Sequence, residues 1–309
     1  MVRVRVRAGG ADAVRCVKLA MAVLACLCLA PLLAHAETTL DKIRRTNTMV
    51  IAFPANHFPF AEAGSDGGPV GYSIEICRKI ADAVRREARL PQLQLRFQQV
   101  DIDGRFEAIA SGAADIECGT TTSNASRRSR FDFTVPHFYT TTRMMVRKDS
   151  GIHSWLDMRG KRVVTLRGSS ILPYVKARDA AGVLDMRWIE ATTDEEAVAL
   201  VLEGRADAYA DDDVLLYAYR AEIKTPEALD IVGEALSVDP YAMMMRKGDA
   251  AFKALVDREM ARMIFDGEIQ DMYQRWFMRP AGARKQALGL PMGYVLRDSF
   301  RFPSDKIAK

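Results

Sequence analysis

The stretch Glu117-Cys118-Gly119-Thr120-Thr121-Thr122-Ser123-Asn124-Ala125-Ser126-Arg127-Arg128 gathers the groups that bind an anion. An apolar run, Ala113-Ala114-Asp115-Ile116, leads into it and reads as a short buried strand. Gly119 breaks that run and lets the backbone approach a neighbour closely. Three threonines follow, then Ser123 and Asn124 as good helix N-caps, then the arginines. Hydroxyls, free amide N–H groups and a guanidinium converging at a strand end make a site for a carboxylate or phosphate. The plainer alternative is a Ser/Thr-rich turn capping a helix whose arginines are solvated. This stretch by itself does not separate the two.

The elements around it are α/β in pattern. Thr39 to Arg45 reads as a short helix and Met49 to Phe53 as a strand. Ser73 is placed to cap a helix to about Ala88, with Ile76, Ile80 and Val84 at four-residue spacing. Leu93, Leu95 and Phe97 alternate with polar residues as in a strand, and a helix near Arg105 to Ser111 follows. The pattern restarts with the strand Lys161 to Leu166 and a helix opened by Gly168-Ser169-Ser170, with Pro173 in its first turn. Met186 to Glu190, a helix from Thr193 to about Glu203, and a strand Arg205 to Ala210 running into Asp211-Asp212-Asp213 continue it. The segments Ala110-Ser111-Gly112-Ala113-Ala114-Asp115 and Leu202-Glu203-Gly204-Arg205-Ala206-Asp207 occupy the same point in the two halves. Each reads as helix end, glycine cap and strand start, which argues for two similar lobes. Tyr241 to Arg246 reads as one strand, followed by helices Ala250 to Phe265 and Glu268 to Phe277. The segment from Pro280 onward is polar and reads as a surface wrap.

The first thirty-six residues read as a secretory leader: basic residues Arg3 to Lys18, an apolar run Leu19 to Ala34, and the cleavage site Ala34-His35-Ala36. A lipid anchor on Cys26, after Val23-Leu24-Ala25, ranks second. The leader holds five of the 44 basic residues and only Asp12 of the 40 acidic ones, so the rest of the chain is near neutral. Nothing in that charge points to a nucleic-acid partner. Beyond the leader only Cys77 and Cys118 remain, and their redox state is open at this stage. His57, His137 and His153 show no ligand spacing, so neither a metal nor a cofactor is expected.

The chain resembles a family-3 extracellular solute-binding protein, the amino-acid-binding component of an ABC importer, most nearly its glutamate/aspartate branch. The resemblance is carried by Pro59-Phe60, Val70-Gly71-Tyr72-Ser73, Asp115 to Thr122 with Arg127, and Phe131-Asp132-Phe133-Thr134. Further along it rests on Leu156 to Lys161, Asp212-Asp213, Met245-Arg246-Lys247 and Pro303-Ser304-Asp305-Lys306. It implies two α/β lobes of the type II binding-protein fold, joined by two strand crossovers near Thr142–Met145 and Pro240–Met244. The lobes would be residues 37–142 plus 241–309, and 143–240, after a signal peptide at 1–36. The implied protein is periplasmic and monomeric, and its partner is a membrane permease.

By the same resemblance, Arg127 grips the ligand α-carboxylate as a bidentate fork. Thr120 and Thr122 contact both charged groups, Ser169 faces them from the other lobe, and Asp212 pairs with the α-ammonium. A zwitterion needs such a pair, because neither of its charges can be buried unpaired. For Asp212 the plainer role is a helix N-cap, and both roles can coexist. At the side-chain end the branch has an arginine where this chain has Pro54, a serine at Ile102 and a histidine roughly at Asp194. Arg105 is retained, and His57 stands where relatives stack an aromatic ring. One arginine beside an aspartate suits an acidic side chain less well, which leaves the ligand polar or acidic.

Two other classes compete with a binder. A few relatives of the fold are periplasmic dehydratases, for which Glu117 or Asp194 would act as acid or base. A ligand-sensing ectodomain would need a later apolar span or a signalling domain, and the sequence offers neither. No nucleophile elbow, P-loop or dinucleotide fingerprint occurs.

Overall fold

The computed structural model describes residues 37–64, 67–282, 285 and 287–306. The expected leader, its cleavage site and Cys26 lie outside the described residues. In chain order the strands are β1 (Thr48–Phe53), β2 (Asn56–His57), β3 (Ala61–Ala63), β4 (Pro69–Val70) and β5 (Gln94–Gln99). β6 (Ile116–Glu117), β7 (Phe131–Phe133), β8 (Phe138–Thr140), β9 (Thr142–Arg147) and β10 (Arg162–Leu166) follow. β11 (Arg187–Ala191), β12 (Ala208–Asp212), β13 (Leu229–Val232), β14 (Asp239–Tyr241) and β15 (Met244–Arg246) complete the series.

Two five-stranded sheets carry the fold. The first is ordered β5-β1-β6-β15-β7 and the second β11-β10-β12-β9-β13. In the first, β1 pairs in parallel with β5 and β6, while β15 runs antiparallel to β6 and β7. In the second, β10 is parallel to β11 and β12, and β9 lies antiparallel to β12 and β13. All but the first residue of β1 are buried, as a central strand covered on both faces requires. The helix Tyr72–Ala88 covers the first sheet with Ile76, Ile80 and Val84, and Asp194–Leu202 buries Ala197, Val198 and Val201 in the second lobe. The protein is thus a two-lobed α/β fold.

The lobes are joined by an antiparallel ribbon in which Asp239 pairs with Thr140 and Tyr241 with Phe138. The single strand expected over Tyr241 to Arg246 is therefore two strands in two sheets. Ala242 and Met243 carry the chain between them. Tyr241 to Met245 are all buried and apolar, so the pattern gives no sign of the change of sheet. Beneath the ribbon Phe60 packs edge-on to Phe138 and Tyr241, with ring centroids 4.9 and 5.3 Å away, and Tyr273 stacks on Phe277 at 4.2 Å.

Three local expectations are corrected. Ser73 is not the helix cap: Gly71 is, at φ 140°, and a Cβ there would lie 2.1 Å from the Phe60 carbonyl oxygen. The Ser73 hydroxyl instead bonds the Gly119 carbonyl and meets His137 Nε2, both at 3.0 Å. The helix expected to Phe277 is α-helical only over Glu268–Tyr273, then widens into a π turn at Gln274–Met278. The polar C-terminal segment contains a helix, Tyr294–Arg301, that buries Leu296 and Phe300. Cys77 and Cys118 form a disulfide, Cα to Cα 6.4 Å, tying the helix Tyr72–Ala88 to the end of β6.

Candidate ligand-binding cleft

β6 ends at Glu117, and the chain passes through Gly119 against Pro54, where a Cβ would sit 2.6 Å from the proline ring. No larger residue fits that approach. The following loop is held by the linking ribbon. Ser123 N donates to the Pro240 carbonyl at 2.8 Å, Ala242 N to the Thr121 carbonyl at 3.1 Å, and Thr122 bridges Tyr241. Asn124 then caps the short helix Ala125–Arg128 by accepting from Arg127 N at 2.9 Å. The Arg127 guanidinium donates back to the Thr122 carbonyl at 3.1 Å and lies 5.1 Å from the Phe106 ring centre. The loop is thus a rigid mount for Arg127.

From the second lobe, β12 ends in Asp211 and Asp212, both buried, and Asp212 precedes the helix Asp213–Glu222. Tyr241 of the ribbon donates a short hydrogen bond to Asp212 Oδ2. Asp212 Oδ1 has no hydrogen-bond partner among the described residues. Ser170, on the loop after β10, donates to Thr122 Oγ1 at 3.3 Å across the cleft. Ser169 accepts from Ile171 N at 3.1 Å.

All nine residues singled out in the sequence surround one cavity of about 40 Å³: His57, Ile102, Arg105, Thr120, Thr122 and Arg127 from the first lobe, and Ser169, Asp194 and Asp212 from the second. That is room for a few water molecules. A chamber of about 400 Å³ adjoins it and shares His57, Ile102, Arg105 and Asp194. At this end His57 Nδ1 is 2.7 Å from Thr120 Oγ1 and its Nε2 is 3.5 Å from Asp194 Oδ2. Asn56 donates to Glu195 at 2.9 Å, so the walls of the cleft touch here too.

Burial sets the electrostatics. It pulls the Arg127 guanidinium down to about 10, helped by the charge of Arg105 nearby. It holds the Asp212 carboxyl well above the usual range, with the Asp211 charge adding to the effect. Burial and the Asp194 charge push Asp211 up to about 7. Burial also opposes the Asp194 charge, but hydrogen bonds from His57 and Tyr209 outweigh it and hold that carboxyl below its ordinary value. Arg105, fully buried, is lowered by desolvation and pulled back by the Glu117 carboxylate.

The sequence profile of the bacterial extracellular solute-binding proteins, family 3, matches residues 49–279. The chain belongs to this family. The L-glutamate/L-aspartate-binding protein of Pseudomonas aeruginosa is 36% identical over 293 residues, 94% of this chain and 97% of the relative. A glutamate/aspartate import solute-binding protein of Salmonella typhimurium is 30% identical over 281 residues, 89% and 93% of the two chains. Among solved structures, an ancestral arginine-binding protein bound to arginine is 27% identical with a TM-score of 0.65, covering 75% of this chain and 98% of that one. A periplasmic binding protein from Brucella ovis with glutathione bound has a TM-score of 0.68 at 23% identity, over 76% and 73% of the chains, and shares the fold. These named sequence relatives are transport solute-binding proteins.

In this solute-binding protein the cavity wall also includes Leu166, Ser170, Asp211 and Leu215, which the sequence reading did not single out. Asp211 stood in the Asp211-Asp212-Asp213 run, but only the folded end of β12 shows which of the three reach the cavity wall. Tyr209 was hidden inside an apolar strand, although its hydroxyl lies 2.7 Å from both Asp194 Oδ1 and Asp211 Oδ2. Among the described residues no helix is long and apolar enough to cross a membrane, and no cluster of three or more His, Cys, Asp or Glu could hold a metal ion.

Proposed function

We propose that this solute-binding protein carries an amino acid with a polar or acidic side chain, gripped by its α-carboxylate and α-ammonium, to the permease of an ABC importer. One observation carries the reading. The cavity wall holds a half-buried guanidinium and a buried carboxyl, Arg127 and Asp212, and desolvation shifts each toward its neutral form. A zwitterion supplies the missing counter-charge to both at once: its carboxylate to Arg127, its ammonium to Asp212 Oδ1. Thr120, Thr122 and Ser169 supply hydroxyls to the same groups. Ile102 and His57 wall the cavity, with Arg105 and Asp194 at the side-chain end.

Residues 37–142 with 241–309, and 143–240, act as the two closing bodies, with β8 and β14 as the hinge. The protein works as a monomer in the periplasm after removal of residues 1–36. It performs no catalysis. The dehydratase alternative needs an acid or base facing the substrate, and Glu117 is fully buried and outside the cavity wall.

The test is to strip bound ligand by unfolding and refolding, then follow thermal stability against the amino acids. Ligand raises stability with the logarithm of its concentration over Kd. One group of amino acids is expected to raise the melting temperature, and Arg127→Ala and Asp212→Asn to abolish the rise. No rise with any amino acid contradicts the reading, and turnover of arogenate or prephenate would favour the enzyme.

A further inference from the structure

Once Arg127 and Asp212 are assigned to the head group, the charged groups left in the cavity wall are Arg105, Asp194 and Asp211, with His57 beside them. Arg105 feels the buried Glu117 carboxylate nearby, although no hydrogen bond joins the two. Asp194 and Asp211 both lie against the Tyr209 hydroxyl, while Tyr219 also reaches Asp194 and the Asp212 amide reaches Asp211. Tyr209 carries a single hydroxyl proton, yet stands 2.7 Å from a carboxylate oxygen of each. The His57 ring and the Tyr219 hydroxyl also face Asp194, the ring at 3.5 Å and itself engaged by Thr120. This corner of the cleft is therefore rich in acceptors, and Asp194 stands on the wall of both the inner cavity and the chamber. The adjoining chamber adds the carboxylates of Asp101 and Glu195 to its rim, with Arg105 as its sole cationic side chain among the described residues.

We infer that the side-chain end of the cleft selects an amino acid whose side chain ends in a hydrogen-bond donor, a guanidinium, ammonium or amide, with Asp194 as the acceptor that reads it. A ligand carboxylate there would face Asp101, Asp194 and Glu195 with Arg105 alone among the described residues to oppose them, whereas a donor group meets acceptors. The inner cavity of about 40 Å³ takes little beyond a head group, so a long side chain passes between His57 and Arg105 into the 400 Å³ chamber. This inference rests on the amino-acid reading above and narrows it.

The experiment is calorimetric titration of the refolded protein with arginine, lysine, glutamine, glutamate and aspartate. Arginine, lysine or glutamine is expected to bind at least about tenfold more tightly than glutamate or aspartate. Asp194→Asn should weaken the preferred donor ligand by about tenfold or more and narrow its lead over glutamate. Glu195→Gln, at an exposed position that poses no folding risk, should weaken lysine and arginine a few-fold and leave glutamine unchanged. Tightest binding by glutamate or aspartate overturns the inference and leaves the head-group clamp standing. Donor ligands unaffected by Asp194→Asn, in a variant that melts normally without ligand, overturn the role of Asp194. If that variant does not fold, the wild-type ranking and Glu195→Gln decide. No binding by any amino acid overturns the clamp and this inference together.

Discussion

At one end of the cleft Arg127 and Asp212 carry opposite charges, and neither takes part in a salt bridge among the described residues. At the other end Arg105 feels the Glu117 carboxylate without a hydrogen bond to it, and Asp194 faces His57 and accepts from Tyr209. The first pair is held apart, each member fixed from behind by the linking ribbon: Arg127 through Thr122, and Asp212 through Tyr241. In the second set Asp194 is held by partners of its own. A group with no partner gains most from a ligand, whereas a group already partnered contributes only the difference between two environments. On the proposed function, binding strength therefore belongs to the head-group end and discrimination to the side-chain end.

The largest test of this contrast is Arg127→Ala, expected to lower amino-acid affinity by about 100-fold or more, since it leaves a carboxylate buried without a partner. His57→Ala, at the other end, should cost less than about tenfold, because Thr120 and Asp194 can turn to water or to the ligand. Equal losses at the two positions would erase the contrast.

The pH dependence of folding separates the same regions. Asp211 sits near 7 in the folded protein, so it keeps a proton that the unfolded chain releases near its ordinary 3.8. Stability should fall as pH rises from about 4 to about 7 and then level off, by at most a few kcal/mol. Asp211→Asn should reduce that slope and leave the part contributed by Asp212. His137 acts in the opposite direction. Burial pushes it down to about 3, so stability is lost as pH falls below about 6.5, when the unfolded imidazole takes up a proton first. Chemical unfolding across pH 4 to 8 reads both limbs. The smallest effect is expected from Asn124→Ala, which removes the cap behind Arg127 and should cost about 1 kcal/mol of stability and a few-fold in affinity.

Much of this was visible in the sequence because it is local. The strands Thr48–Phe53, Gln94–Gln99 and Arg162–Leu166 announce themselves by apolar pattern, and Asn124 and Thr193 cap helices as their spacing suggests. What could not be read is what depends on distant pairing. Ser73 looked like a cap until the fold brought the Gly119 carbonyl and His137 to its hydroxyl. The helix Tyr294–Arg301 has only Leu296 and Phe300 facing inward, too few to stand out in a polar segment. Asp211, Asp212 and Asp213 are indistinguishable as a string. The end of β12 brings the first two to the cavity wall and leaves Asp213 accepting from Thr140 and Thr141. Cys77 and Cys118, 41 residues apart, needed the packing of the helix Tyr72–Ala88 on β6 before their pairing was defined.

The most direct test of the two-charge clamp is a titration of the refolded protein with an amino acid that binds it and with two analogues, one amidated at the α-carboxylate and one lacking the α-amino group. Loss of most of the affinity with each analogue, together with indifference of Arg127→Ala to the first and of Asp212→Asn to the second, is the predicted result. Binding of either analogue as tightly as the amino acid itself would contradict it.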